Sequence, residues 1–186
     1  MDFDNDKKTF LAKTDRSKKG SIDEKALSII ELINGLANYY TTSSCSGRVY
    51  LWCAGEKKNE AEWLKVSHDL VIESFLDLKD RGNITENIIW LRFEPFILHV
   101  ACSDLETADK LLDLVRVIYK KSSLLSFNKK IILEVRDSGS VEMPLYKKGE
   151  LIFSGELSWL VELMNEKLEK NWKKMNKLKK NLLLLS

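Results

Sequence analysis

Residues 41–48 read Thr-Thr-Ser-Ser-Cys-Ser-Gly-Arg: six small side chains bearing a hydroxyl or thiol, then a glycine, then an arginine. Small donors beside a flexible glycine let backbone N–H groups close on an anion, and a guanidinium clamps a carboxylate or phosphate with two parallel hydrogen bonds. Ser43, Ser44, Cys45, Ser46, Gly47 and Arg48 are therefore candidates for binding an anionic ligand, although an ordinary Ser/Thr turn has the same composition. Groups able to move a proton near neutrality are few. The chain has two histidines, His68 and His99, and three cysteines, Cys45, Cys53 and Cys102, with no CxxC spacing. That set supports neither a disulfide framework nor a four-ligand zinc site.

These groups need a scaffold, and the apolar spacing outlines one. Ser21-Ile22-Asp23-Glu24 has the form of a capping box, and Ile22, Ala26, Ile29, Ile30, Ile33 and Ala37 then recur at helical intervals until the tract Thr41–Ser44. A strand is expected over 48–54, where Val49, Leu51 and Cys53 alternate with Tyr50 and Trp52. Asn59 can cap a second helix reaching about Leu78, with Trp63, Val66, Leu70, Val71, Phe75 and Leu78 on its buried side and Arg81-Gly82-Asn83 as its stop. His68 falls off that stripe and reads as a surface residue. Two β-rich runs, 88–93 and 96–102, are separated by Glu94-Pro95 and should pair antiparallel or bend sharply. Ser103–Glu106 forms a second capping box, opening a helix that buries Leu105, Ala108, Leu111, Leu112, Val115 and Ile118. Further strands are expected over 130–136, 141–145 and 151–153, the last two joined as a hairpin across Lys147-Lys148-Gly149.

A long helix should start near Glu156 and run past Lys180, with Leu157, Val161, Met164, Leu168, Trp172, Met175 and Leu178 on one stripe. It could lie across the domain, pair two copies as a homodimer, or contact RNA. Strands mixed with helices and no repeated βα unit imply an α+β fold with a mixed or largely antiparallel sheet packed with helices. No GxGxxG or GxxxxGK[ST] turn follows a strand, which argues against a doubly wound Rossmann-type architecture. With 186 residues, 44% hydrophobic, the chain suits one domain over 1–155 with the basic amphipathic helix of 156–186 packed on it or extending from it.

The formal net charge of +2 names no partner, but cations gather: Lys18-Lys19, Lys120-Lys121, Lys129-Lys130, Lys147-Lys148, and seven lysines against Glu169 alone over 167–180. No run approaches the roughly 18 to 20 apolar residues of a membrane span. The first eight residues are acidic and polar, unlike a secretory signal. A soluble, cytoplasmic protein is expected.

Several separated stretches in one order carry a resemblance. Asp15–Glu24, then Tyr39-Tyr40 with Ser43–Arg48, then Glu94-Pro95-Phe96-Ile97-Leu98-His99-Val100 resemble the successive motifs of the S-adenosylmethionine-dependent methyltransferases of wybutosine synthesis. Ser122, Glu134-Val135-Arg136 and Val141–Leu145 are similar to that family's later, looser motifs, while Lys121–Ser126 departs from it where a glycine-containing turn is usual. The resemblance implies N4-methylation of a demethylwyosine intermediate at position 37, in the anticodon loop of phenylalanine tRNA. It implies S-adenosylmethionine as cofactor, tRNA as partner and no metal.

On that reading the chemistry is an in-line displacement at a sulfonium carbon, which needs alignment and removal of one proton rather than a covalent nucleophile. Cys45 is then a packed loop residue, and Cys53 and Cys102 are small core hydrophobes. His99 is the candidate base, with a satisfied structural histidine as the alternative. Glu94 could orient His99 or accept the proton. Arg48 would meet the cofactor carboxylate or an RNA phosphate, Arg136 is a second anion-binding candidate, and Ser122 joins the binding set. Tyr39, Tyr40, Trp52 and Trp90 are available for stacking or for the core. A non-catalytic tRNA-binding module and a dimeric scaffold are the alternative functions.

Overall fold

The computed structural model describes residues 2–12, 23–53, 61–78 and 87–185. In chain order its elements are α1 (Phe3–Leu11), α2 (Glu24–Gly35), β1 (Tyr39–Cys45), β2 (Arg48–Cys53), β3 (Glu62–Ser67), α3 (Glu73–Leu76) and β4 (Ile88–Glu94). There follow β5 (Ile97–Cys102), α4 (Leu105–Arg116), β6 (Ser123–Ser126), β7 (Ile131–Arg136), β8 (Val141–Lys147), β9 (Glu150–Leu151) and α5 (Leu157–Leu182). The fold is α+β, with two sheets whose pairings are all antiparallel. That bears out the expected class and its departure from a doubly wound sheet. The chain forms two compact units: residues 1–46, 96–138 and 171–186 make the first, and 47–95 with 139–170 the second.

The first unit is built on the sheet β1-β5-β7-β6. Strand alternation sends Leu98, Val100 and Cys102 of β5 and Leu133 and Val135 of β7 into one core. There they meet Ala26, Ile29, Ile30 and Ile33 of α2, Ala108, Leu111, Leu112 and Val115 of α4, and Met175, Leu178 and Leu182 of α5. α2 and α4 follow the stripes their spacing implies, except that Ala37 lies beyond the end of α2 and is exposed. Asp104 is the N-cap of α4, and Thr107 completes a reciprocal capping box with it; Leu105, just inside, is exposed. Cys102, buried in this core beside Asp104, has its thiol pushed up to about 12 by burial first and the neighbouring carboxylate second, which keeps it inert. On the opposite face α1 covers Tyr40, whose ring meets Phe3 and Phe10 and whose hydroxyl donates to Asp6 at 2.6 Å.

The second unit carries the sheet β3-β2-β4-β8-β9. Val49, Leu51 and Cys53 of β2, Ile89, Leu91 and Phe93 of β4, and Leu145 of β8 are buried, as are Leu160, Val161, Met164 and Leu168 of α5. β8 and β9 form the expected hairpin. Its two turn residues, Lys148 and Gly149, both have positive φ (50° and 80°), as a two-residue primed turn requires.

Two expectations need correction. Residues 62–67 form β3, an edge strand paired with β2, where a helix was expected. Trp63, Val66 and Leu70, assigned to its buried side, are exposed, because cross-strand pairing overrides a run that also fits helical spacing. Asn59 and Arg81–Asn83, its expected ends, lie outside the described residues, as do Ser21 and Ile22; the residue observed at the N-cap of α2 is Asp23. The Thr/Ser tract is strand β1 almost to its end, leaving Ser46-Gly47 as the turn. Of the two alternatives for Glu94-Pro95, the sharp bend holds: it carries the chain from β4 in one sheet to β5 in the other. The helix α1 and the short strand β6 were not anticipated.

Each unit also receives one asparagine from α5. In the second, Asn165 accepts from the Val71 N–H at 2.8 Å and donates to its carbonyl at 2.9 Å. In the first, buried Asn171 accepts from the Phe96 N–H at 2.8 Å and donates to the Ser46 carbonyl at 2.7 Å. Asn171 stands between Leu168 and Met175 at the same three- and four-residue spacing as the apolar stripe, so a polar side chain occupies a core position and satisfies two buried backbone groups there.

Candidate functional site

β1 pairs with β5 through a bulge: Thr41 faces Val100, Thr42 is passed over, and Ser43 faces His99. The extra residue places Ser43, rather than Thr42, opposite the histidine. β7 brings Glu134 to the other side of His99, and Ser123 of β6 lies opposite Glu134. One row therefore crosses four strands as Ser43, His99, Glu134 and Ser123.

Ser43 Oγ lies 2.7 Å from His99 Nδ1, and His99 Nε2 lies 3.1 Å from Glu134 Oε2. An ionised carboxylate only accepts, so it keeps the proton on Nε2 and leaves the Nδ1 lone pair facing the serine hydroxyl. The Ser43 end is exposed while the Glu134 side chain is 14% exposed, so the line runs from solvent inward. Arg136 follows on the same face, its Nη1 at 3.8 Å from Glu134 Oε1 and its side chain 60% exposed. A proton delivered to Nδ1 would create an imidazolium that Glu134 stabilises without itself being protonated.

The turn after β1 is fixed by buried partners. The Ser46 amide and hydroxyl both donate to Asp23 Oδ2, at 3.1 and 3.0 Å, and its carbonyl accepts from Asn171. Gly47 sits at φ 94°, a conformation that disfavours any side chain. Ser46 and Gly47 thus set the path of the segment, their polar groups satisfied internally. Ser44 and Cys45 remain half-buried in β1, opposite Leu98 and Ile97. Ser122 is likewise occupied: its hydroxyl donates to the Tyr119 carbonyl at 2.7 Å and accepts from the Arg136 N–H at 3.3 Å. It anchors the backbone of Arg136.

Arg48 and Glu94 belong to the second unit. Arg48 donates through Nε and Nη2 to Glu94 Oε2, at 3.1 and 2.8 Å, and its guanidinium lies 4.2 Å from the Trp63 ring centre and 5.1 Å from that of Tyr50. Arg92 bridges Glu94 at 3.0 Å and Glu142 at 3.3 Å. Burial pushes Glu94 upward, but hydrogen bonds from Arg48 and Tyr50 and the two guanidinium charges outweigh it, holding the carboxyl below its ordinary value. Tyr50 is pushed well above the usual phenol range by burial and then by Glu94. Glu94 is thus a firmly ionised partner of arginines and a poor proton acceptor. His99 and Glu94, five residues apart in sequence, have entirely different partners.

Sequence reasoning gave no site role to Glu134, Asp23, Asn171, Arg92 or Trp63. Glu134 left a trace, a carboxylate between Leu133 and Val135 in a strand whose neighbours alternate inward. Its pairing with His99 depends on strand order.

A family model described as methyltransferase TYW3 matches residues 5–183. The chain is 34% identical to a tRNA wybutosine-synthesizing protein 3 homolog of Mus musculus, over 90% of this chain and 67% of that protein. It is also 34% identical to the tRNA(Phe) 7-((3-amino-3-carboxypropyl)-4-demethylwyosine(37)-N(4))-methyltransferase of Thermococcus sibiricus, over 92% of this chain and 89% of that one. Among solved structures, a protein from Pyrococcus horikoshii superimposes with a TM-score of 0.86 at 31% identity, covering 97% of this chain and 96% of that chain.

Proposed function

The chain belongs to the TYW3 methyltransferase family, and on that premise we propose that it methylates the N4 ring nitrogen of a demethylwyosine derivative at position 37 of phenylalanine tRNA, with S-adenosylmethionine as donor. The observation that carries the reading is the Ser43–His99–Glu134 line. Methyl transfer to a ring nitrogen would form an N–CH3 bond as the donor's S–CH3 bond breaks to leave a thioether and the nitrogen gives up its proton, and His99 offers a ring nitrogen 2.7 Å from an exposed hydroxyl to receive that proton. Ser43 hands its own proton to Nδ1 as it takes the one from substrate, and Glu134 balances the charge that develops on the ring.

When bound, S-adenosylmethionine supplies an electrophilic methyl group on sulfonium. Its amino-acid end carries one carboxylate and one ammonium, so residues that fit it must offer both signs of charge. Both occur in the Arg48, Arg92, Glu94 and Glu142 cluster, bordered by the rings of Tyr50 and Trp63. Arg48 is the residue we assign to the carboxylate or to an RNA phosphate, with Glu94 holding its guanidinium in place. Arg136, largely exposed beside Glu134, is the second anion-binding group. Three free cysteines support a reducing compartment, in keeping with action in the cytoplasm. Among the described residues no helix is long and apolar enough to cross a membrane.

Incubation with S-adenosylmethionine and tRNA carrying the demethylwyosine precursor should add one methyl group to the modified nucleoside, read by mass spectrometry. No gain under conditions where calorimetry confirms cofactor binding would sink the reading in favour of a non-catalytic tRNA-binding module.

A further inference from the structure

The edge of the first unit's sheet combines positive charge with exposed apolar side chains. Between Asp113 and Glu134 the chain has no carboxylate but five cations: Arg116, Lys120, Lys121, Lys129 and Lys130. Lys120 and Lys121 precede β6, and Lys129 and Lys130 lie in the turn after it. In the same stretch Leu125, Phe127 and Val117 are 58%, 68% and 73% exposed. Lys120, Lys121 and Lys129 make no ion pair among the described residues, whereas Lys130 bridges to Asp6 at 2.7 Å and reaches the Tyr40 hydroxyl at 3.4 Å. With the Ser126 hydroxyl donating to the Lys130 carbonyl at 3.0 Å, the turn is anchored to α1 before any partner arrives.

We propose that this edge, from Lys120 to Lys130, is the surface on which the tRNA docks, with Phe127 stacking on an unpaired base and Lys120, Lys121 and Lys129 meeting phosphates. The proposal rests on the tRNA reading above. Three observations favour RNA over a protein partner. Cations stand in the turns at both ends of β6, a four-residue strand about 13 Å long at strand spacing, and such a spread matches an extended polyanion better than a compact acidic site. An exposed aromatic ring lies between them, and unpaired loop bases are held by stacking. The edge also borders the catalytic row: Ser123 of β6 faces Glu134, and two interstrand spacings, about 10 Å, separate β6 from His99. A base at Ser43 and His99 would have its neighbouring nucleotide within reach of this edge. The lysines of α5 over 167–180, more numerous, have no exposed aromatic among them: Trp172 is half-buried, with Lys25 4.8 Å from its ring centre, and the exposed Trp159 lies eight residues before the first of these lysines.

The test compares tRNA affinity across a salt series for the full chain, for Phe127→Ala, for Lys120→Ala/Lys121→Ala/Lys129→Ala, and for the helix control Lys173→Ala/Lys177→Ala/Lys180→Ala. Circular dichroism and S-adenosylmethionine binding serve as checks on folding. Phe127→Ala should weaken tRNA binding about tenfold at every salt concentration. The lysine triple should lower the slope of log affinity against log salt by about two to three, and the helix control should change neither. Wild-type affinity in both hairpin variants, or a loss confined to the helix control, overturns the proposal while leaving the tRNA reading standing. An altered sedimentation coefficient with unchanged tRNA affinity overturns it in favour of a contact between copies. No tRNA binding by the unmodified chain sinks both.

Discussion

The two polar clusters use their carboxylates differently. On the first unit's sheet, Glu134 faces an imidazole whose other nitrogen meets a hydroxyl, a line along which protons can move. On the second, Glu94 is held by Arg48 and Arg92 with its pKa kept below the ordinary carboxylate value, so its charge is fixed and its role is to position a guanidinium. A carboxylate beside histidine supports proton transfer, while one between two arginines suppresses it. The partner, more than the residue type, decides which chemistry each supports.

The most severe way to break this contrast is His99→Ala. Turnover should fall by about a hundredfold to ten-thousandfold with S-adenosylmethionine affinity kept, since general-base contributions are of that size. An unchanged rate would assign His99 to packing and leave the row without a catalytic role. Glu134→Gln keeps the shape and removes the charge; kcat should fall about tenfold with KM for tRNA unmoved, and Glu134→Asp should recover part of it. If Glu94→Gln lowered kcat as much as Glu134→Gln, with cofactor and tRNA affinities intact, the division of labour between the two carboxylates would be wrong.

The same contrast extends to the asparagines of α5. Asn171→Ala leaves the Phe96 N–H and the Ser46 carbonyl without partners in a buried setting, and urea unfolding should show a loss of about 1–3 kcal/mol. Asn165→Ala should cost less, because its site by Val71 is only partly buried and water can substitute. Equal losses would show that burial does not separate the two clamps.

The smallest effect is a pH dependence. Because the folded-state pKa of Glu94 lies below its unfolded value, the unfolded chain binds more protons in the window between them. Its contribution to stability is therefore complete above the ordinary carboxylate pKa and is lost as pH falls through the folded one. The difference in urea midpoint between the native chain and Glu94→Gln should be widest near neutrality and shrink below about pH 4. A difference independent of pH would mean that the ion pairs contribute nothing there.

Much of the scaffold was legible in the residue pattern. The stripe Ala26, Ile29, Ile30, Ile33, the α4 stripe, the alternation of Val49, Leu51 and Cys53 and the long α5 helix are local periodicities, and local periodicity survives into the fold. The stretch 62–67 misled because Trp63 and Val66 fit a helical stripe as well as a strand, and only pairing with β2 settles it. The Thr/Ser tract misled in the opposite sense, as small hydroxyl residues read as a turn but pair along β5.

The site was legible in parts. His99, Arg48 and the Ser43–Arg48 segment stood out by residue type, order and resemblance, so the sequence by itself determined the family and the α+β class and nominated candidate groups for the site. It could not say which carboxylate serves which cation. Pairing of β7 with β5 brought Glu134 to His99 from 35 residues away, the bulge at Thr42 brought Ser43 to its other side, and pairing of β4 with β2 set Glu94, five residues from His99, against Arg48. Register across a sheet is fixed by long-range pairing of backbones, and a shift of one residue would have turned every one of these side chains to the opposite face.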